Sequence, residues 1–191
     1  MPQSRSFLFL FMALALLLPA FAGATVAVRA PIEALADEAS HVVHARVVDR
    51  RVVPERGPHG EIRTRATLRV LTYLRGSGPE TLTVQQLGGT LEGYTLRVLG
   101  NARLEPGDEV VAFLDVDGAA GLAYVVAMAQ GVWQVERGDG PPRVHRDLSG
   151  LAFYQVGPVP VSQGAPIETL TDLVAALGVS APPAEPATVT P

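Results

Sequence analysis

The chain has 191 residues, 48 % of them apolar and 18 % charged, with a formal net charge of −4 and no cysteine. That balance is ordinary for a globular protein, and the missing cysteines exclude a disulfide scaffold, a thiol nucleophile and any Cys-ligated metal. All fifteen basic residues are arginine, and the acidic balance argues against a nucleic-acid binder that works by charge alone.

Residues Phe7–Ala22 form the first element, an apolar run preceded by Arg5 and interrupted by Pro19. A basic start, a short apolar stretch and small residues at Ala20, Ala22 and Ala24 predict a secretory signal peptide over residues 1–24. The uninterrupted run Phe7–Leu18 is shorter than the roughly 20 residues a spanning helix needs. Cleavage after Ala24 is therefore expected, with no membrane span in the mature chain. It would also remove Arg5 and take the net charge from −4 to −5. The mature protein is then expected in the periplasm or outside the cell.

Pro31–Ser40 predicts a short helix, because Ile32, Leu35, Ala36 and Ala39 fall on one face and Pro suits the first turn. His41–Val53 and Ile62–Leu74 read as two long strands around the turn at residues 56–60. In the first, Val43, Ala45 and Val47 share one side and Val42, His44, Arg46 and Val48 the other. In the second, Thr64, Ala66, Leu68 and Val70 oppose Arg63, Arg65, Thr67 and Arg69. Shorter strands follow at Thr81–Leu87, Tyr94–Leu99, Glu109–Leu114, Ala123–Met128 and Val132–Arg137, with Arg143–His145 pairing back. Asp115–Gly121 reads as a loop. Thr169 with Asp172 forms a capping-box pattern for a last helix to Leu177, striped by Leu170, Leu173, Val174 and Leu177. Residues 179–191 are Pro-rich and poor in core formers, so a disordered tail is expected. Together these predict one mainly β domain over residues 25–178. Its expected form is an OB-like barrel or sandwich of short antiparallel strands, with a short N-terminal and a C-terminal helix.

Chemistry is sparse along this frame. His41 and His44 are three apart on a strand and so face opposite ways, His59 is in a turn, and His145 is near a strand end; no metal site is expected from them. Asp115-Val-Asp117-Gly118 lacks the further oxygen ligands of a calcium loop. Ser149 is not in a G-x-S-x-G turn, and Gly88-Gly89 with Gly93 lacks the G-K-[ST] ending of a phosphate loop. The acid pair Asp108–Glu109 lies at a turn, where solvation accounts for it. Arg137-Gly138-Asp139 reads as turn chemistry rather than an adhesion motif, Trp133 as a core residue, and the arginines of the long hairpin as its solvated face. No catalytic residue, metal or cofactor is expected.

One pattern of residues resembles a known group. It runs through Gln86-Leu-Gly-Gly89, Gly93, Leu96–Gly100, Pro106–Leu114, Ala129-Gln-Gly131, Val132–Val135 and Arg146-Asp-Leu-Ser-Gly150. It resembles that of a group of uncharacterised exported bacterial β-rich proteins, with Leu87 standing for a Pro and Trp133 for a Phe. The resemblance spans roughly residues 35–155 and implies a fold rather than a chemistry. A looser similarity, in architecture alone, is to the OB-like netrin and tissue-metalloproteinase-inhibitor class. Those inhibitors dock with an N-terminal Cys that this chain lacks, so only a barrel used as a binding surface is implied. The expected function is that of an exported, non-enzymatic domain binding a protein or an envelope component. Gly88, Gly89 and Tyr94 are the candidate contact residues, and an exported protein such as a protease the candidate partner. The chain is expected to be a monomer or weak dimer. The alternatives are a hydrolase whose site forms only in three dimensions, and an envelope protein with no discrete ligand.

Overall fold

Two strands of 14 residues, β2 (His41–Pro54) and β3 (Ile62–Arg75), set the frame. The computed structural model describes residues 25–54, 61–154 and 166–178. The expected signal peptide, the turn at 56–60 and the Pro-rich tail lie outside the described residues. Before β2 come β1 (Thr25–Ala27) and α1 (Ile32–Glu38). After β3 come β4 (Thr81–Leu87), β5 (Gly89–Leu91), β6 (Tyr94–Leu96), β7 (Glu109–Asp117) and β8 (Leu122–Val125). A 3₁₀ turn at Met128–Gly131 leads into β9 (Val132–Glu136), β10 (Arg143–His145), β11 (Leu151–Phe153) and finally α2 (Leu170–Ala176).

The main sheet runs β10-β9-β7-β2-β3-β4-β8, and an additional β7–β8 pairing turns part of it into a ring. The ring is β2-β3-β4-β8-β7 and back to β2. Its neighbours are antiparallel except β4 and β8, which are parallel and meet through Val84 and Ala123. One edge of β7 is shared. Its residues Val110–Ala112 pair with β9, and Leu114–Asp117 pair with β8. The register of β2 against β3 shifts between Val47 and Asp49, and such a bulge adds the local twist that closure of a sheet requires.

The alternation along β2 decides the layers. Val43, Ala45 and Val47 point into the ring, where they meet Ala66, Leu68, Val84, Val110, Ala112 and Leu114. Val42 points the other way and joins Val111, Phe113, Trp133, Val135 and Val144 in a second core. The helices cover that outer face, α1 through Leu35, with Ala39 just past its end, and α2 through Leu173 and Val174. Phe113 is fully buried there, a side chain whose removal from water contributes about 1.5–3 kcal/mol. β7 is thus buried on both faces from Glu109 to Leu114, which explains the unbroken apolar run from Val110 to Leu114.

The mainly β architecture with two short helices holds as expected, with differences of detail. β2, β3 and β7 are longer than expected, and Asp115–Asp117 continues β7 instead of looping. The expected strand at Ala123–Met128 stops at Val125, because Ala127 and Met128 take positive φ on entering the 3₁₀ turn. The expected Tyr94–Leu99 strand ends at Leu96 and pairs with β5, an element too short to give a period-2 signal. β1 and β11 form a separate two-stranded parallel pair. Three residues each, brought together from opposite ends of the chain, carry no local signal of their partnership.

Candidate functional site

Glu109 opens β7, and its Cα partner across the ladder is Arg46 of β2. It shares parity with Val111 and Phe113, so its side chain lies on the outer face. There it continues the line of the second core as a polar cluster. His44 lies on the same face of β2, two residues before Arg46, and Arg137 follows the end of β9 in step with Trp133 and Val135. Three neighbouring strands therefore deliver one carboxylate, one imidazole and two guanidinium groups to one place.

The Glu109 side chain is only 6 % exposed. His44 Nε2 donates to its Oε1 at 2.8 Å. Arg137 Nη2 donates to Oε1 at 2.6 Å and Nε to Oε2 at 2.9 Å, a bidentate fork. Arg46 Nη2 reaches Oε2 at 3.3 Å. Burial pushes the Glu109 carboxyl upward. The hydrogen bonds from Arg137 and His44, and the charges behind them, outweigh that and hold it at about 2. A carboxylate accepts only, so His44 must carry its proton on Nε2.

Arg46, Glu109 and Arg137 of the cluster line an open cleft of about 390 Å³, with Arg103, Asp108, Glu136 and His145. Arg103 Nη2 lies 3.5 Å from Asp108 Oδ1, and His145 Nδ1 lies 3.6 Å from Glu136 Oε1. Chemically the cleft is a set of matched charges. The lone pairs of Glu109 are filled by its neighbours, and its depressed pKa leaves it ionised at neutral pH. It is built to hold cations in place, and poorly suited to passing a proton. Among the described residues no three His, Asp or Glu converge as metal ligands, and no helix is long and apolar enough to cross a membrane.

The candidate contact residues lie elsewhere, on the β5–β6 hairpin. Glu92 and Gly93 both take positive φ between the strands, as a type I′ turn requires. Tyr94 and Leu96 share one face, 76 % and 38 % exposed, and Thr90 bonds Thr95 through their hydroxyls at 2.9 Å on the other. Gly88 and Gly89 hold the base. A Cβ on Gly88 would lie 2.8 Å from the Leu96 carbonyl oxygen, and one on Gly89 would lie 2.8 Å from Val52 Cγ1. Their bareness lets the hairpin fold onto β2 and β3, so the structure places Tyr94 outward and the two glycines inward.

The other residues singled out in the sequence take the following places. Asp117 Oδ1 accepts from the Ala119 and Ala120 amides, which closes a turn at the end of β7. The Ser149 hydroxyl donates to Asp147 Oδ1 at 2.7 Å. Arg137 is turned back onto Glu109, which withdraws the arginine of Arg137-Gly138-Asp139 from a simple adhesion display. The arginines of the long hairpin are spread among partners: Arg46 meets Glu109, Arg63 meets Glu61, Arg65 meets Gln85 and Arg75 meets the Ala36 carbonyl. Glu109 itself corrects the sequence reading, which took the Asp108–Glu109 pair as solvated. Its signal was legible, for it is the first residue of a strand apolar on both faces, in step with Val111 and Phe113.

No family model, no curated protein and no solved structure matches this chain.

Proposed function

We propose that this chain is an exported, non-enzymatic domain that binds another protein through the face of the β5–β6 hairpin. The observation that carries the reading is Tyr94, a large side chain 76 % exposed on a hairpin fastened at its base. Besides the packing of Gly88 and Gly89, Asn101 Nδ2 donates to the Leu87 carbonyl at 2.7 Å. An aromatic presented on such a base loses little conformational freedom on docking, which favours Tyr at contact hot spots. Leu96 on the same face extends the apolar contact. Export rests on the leader pattern of residues 1–24. Docking against a co-exported protease is the narrower version, and the netrin-like resemblance alone carries it.

The hydrolase reading draws its support from the cleft beside Glu109, where His145 and Glu136 face one another. The binding reading is preferred because the buried carboxylate there is held ionised and saturated by hydrogen bonds.

The test is capture by the tagged chain from its own envelope and secreted fractions, beside a Tyr94→Ser/Leu96→Ser variant with an unchanged circular dichroism spectrum. A protein recovered by the parent and lost by the variant supports the reading. Equal recovery by both removes the hairpin from the contact, and an empty capture by both removes the protein partner.

A further inference from the structure

Arg146 follows β10 and lays its guanidinium over the Trp133 indole, 4.3 Å from the ring centroid. Arg29, between β1 and α1, does the same over Phe153 of β11 at 4.4 Å. One buried residue ties the two arrangements together. The Gln130 side chain accepts from the Ala30 amide at 2.9 Å and donates to the Val28 carbonyl at 3.1 Å, bracketing Arg29 on both sides. The carbonyl of the same Gln130 lies 3.5 Å from Arg146 Nη1. Burial first, and then the nearby charge of Arg29, push the Arg146 pKa below its usual value.

Two like charges are thus held as neighbours on aromatic supports, which is unfavourable unless something answers them. Among the described residues neither arginine forms an ion pair. The adjoining stretches 1–24 and 155–165 contain no Asp or Glu. Stacking uses the face of a guanidinium and leaves its N–H edge available for planar hydrogen bonds to an oxyanion. The indole N–H of Trp133, the ring under Arg146, is itself buried without an acceptor, and a buried unmatched donor calls for an explanation.

We propose that Arg29 and Arg146 form a binding site for an oxyanion, a phosphate or carboxylate group. The anion answers both charges at once, and the aromatic supports hold the two forks in position before it arrives. This site shares no residue with the β5–β6 hairpin, so either can fail without the other.

Trp133 is the sole tryptophan of the chain, and it stacks directly on Arg146, so its fluorescence reports the site. The full chain is titrated at constant ionic strength with inorganic phosphate, with acetate, and with chloride as the reference. A saturable change with phosphate or acetate and none with chloride is expected, and the anion that saturates names the group. Arg29→Gln removes an exposed side chain and is expected to weaken binding about tenfold, the effect of one charge-assisted hydrogen bond. Arg146→Lys keeps the charge and loses the fork, and the same weakening is expected, while Arg69→Gln changes nothing. A linear response, a response equal to that of chloride, or saturation untouched by Arg29→Gln would overturn the proposal.

Discussion

Glu109 concentrates the electrostatics of the outer face in one side chain. Replacing it by Gln keeps the shape but leaves Arg137, Arg46 and His44 around a neutral amide. Arg137 and Arg46 are about half exposed, so water answers part of the lost attraction. Glu109→Gln is expected to destabilise by about 2 kcal/mol, read from the urea midpoint at pH 7. The pH dependence has a definite sign. The folded pKa is lowered from 4.5 to about 2, so the folded state binds this proton less readily than the unfolded one. The stabilisation is complete above about 4.5 and is lost as the pH falls toward 2. Glu109→Gln should flatten that acid limb in urea titrations across this range. Asp147 and Asp172, also lowered, each first by a hydroxyl hydrogen bond, leave a residual slope. A variant as acid-sensitive as the parent would show that Glu109 is not the group responsible. Gly131 is a second decisive position, because a Cβ there would lie 2.1 Å from the Val126 carbonyl oxygen. Gly131→Ala is expected to destabilise by at least about 2 kcal/mol through overpacking against backbone, measurable as a lowered Tm.

The two helices show how local and tertiary signals divide. α2 is 7 residues long, too short to persist alone in water. Its start was still legible, since Thr169 accepts from the Asp172 amide and Asp172 accepts from the Thr169 amide, completing the expected capping box. Thr169→Ala should cost about 1 kcal/mol and Leu173→Ala about 2–5 kcal/mol, both from thermal or urea unfolding. Equal losses from the two would mean that the cap holds the helix as firmly as burial in the outer core does. Strands were legible where alternation ran long enough, as in β2 and β3, and where Gly punctuated them, as at Leu87. The β5 segment escaped because three residues cannot display a period. Residues Asp115–Asp117 escaped because two acids in three residues look like a loop, whereas the pairing of Val116 with Ala123 and Asp117 with Leu122 carries the strand through them.

At the scale of the whole molecule the weak place is the seam. β2 is paired along its length with β3 and along His41–Arg46 with β7, whereas β4 meets β8 only at Val84 and Ala123. Amide hydrogen exchange should therefore be slowest in β2 and the first half of β7 and fastest, among the ring strands, in β8. Protection in β8 equal to that in β2 would mean that the ring closes more firmly than its ladder implies. The sequence by itself determined the β-rich class, the faces of the long hairpin and the capped start of the second helix, because alternation, turn residues and caps act within a few residues of one another. Only the tertiary structure decided which strands close the ring, that Glu109 is buried under His44 and Arg137, and that Arg29 meets Arg146. Those contacts join residues far apart in the chain, and their partners are chosen by register and closure, which no local pattern of residues records.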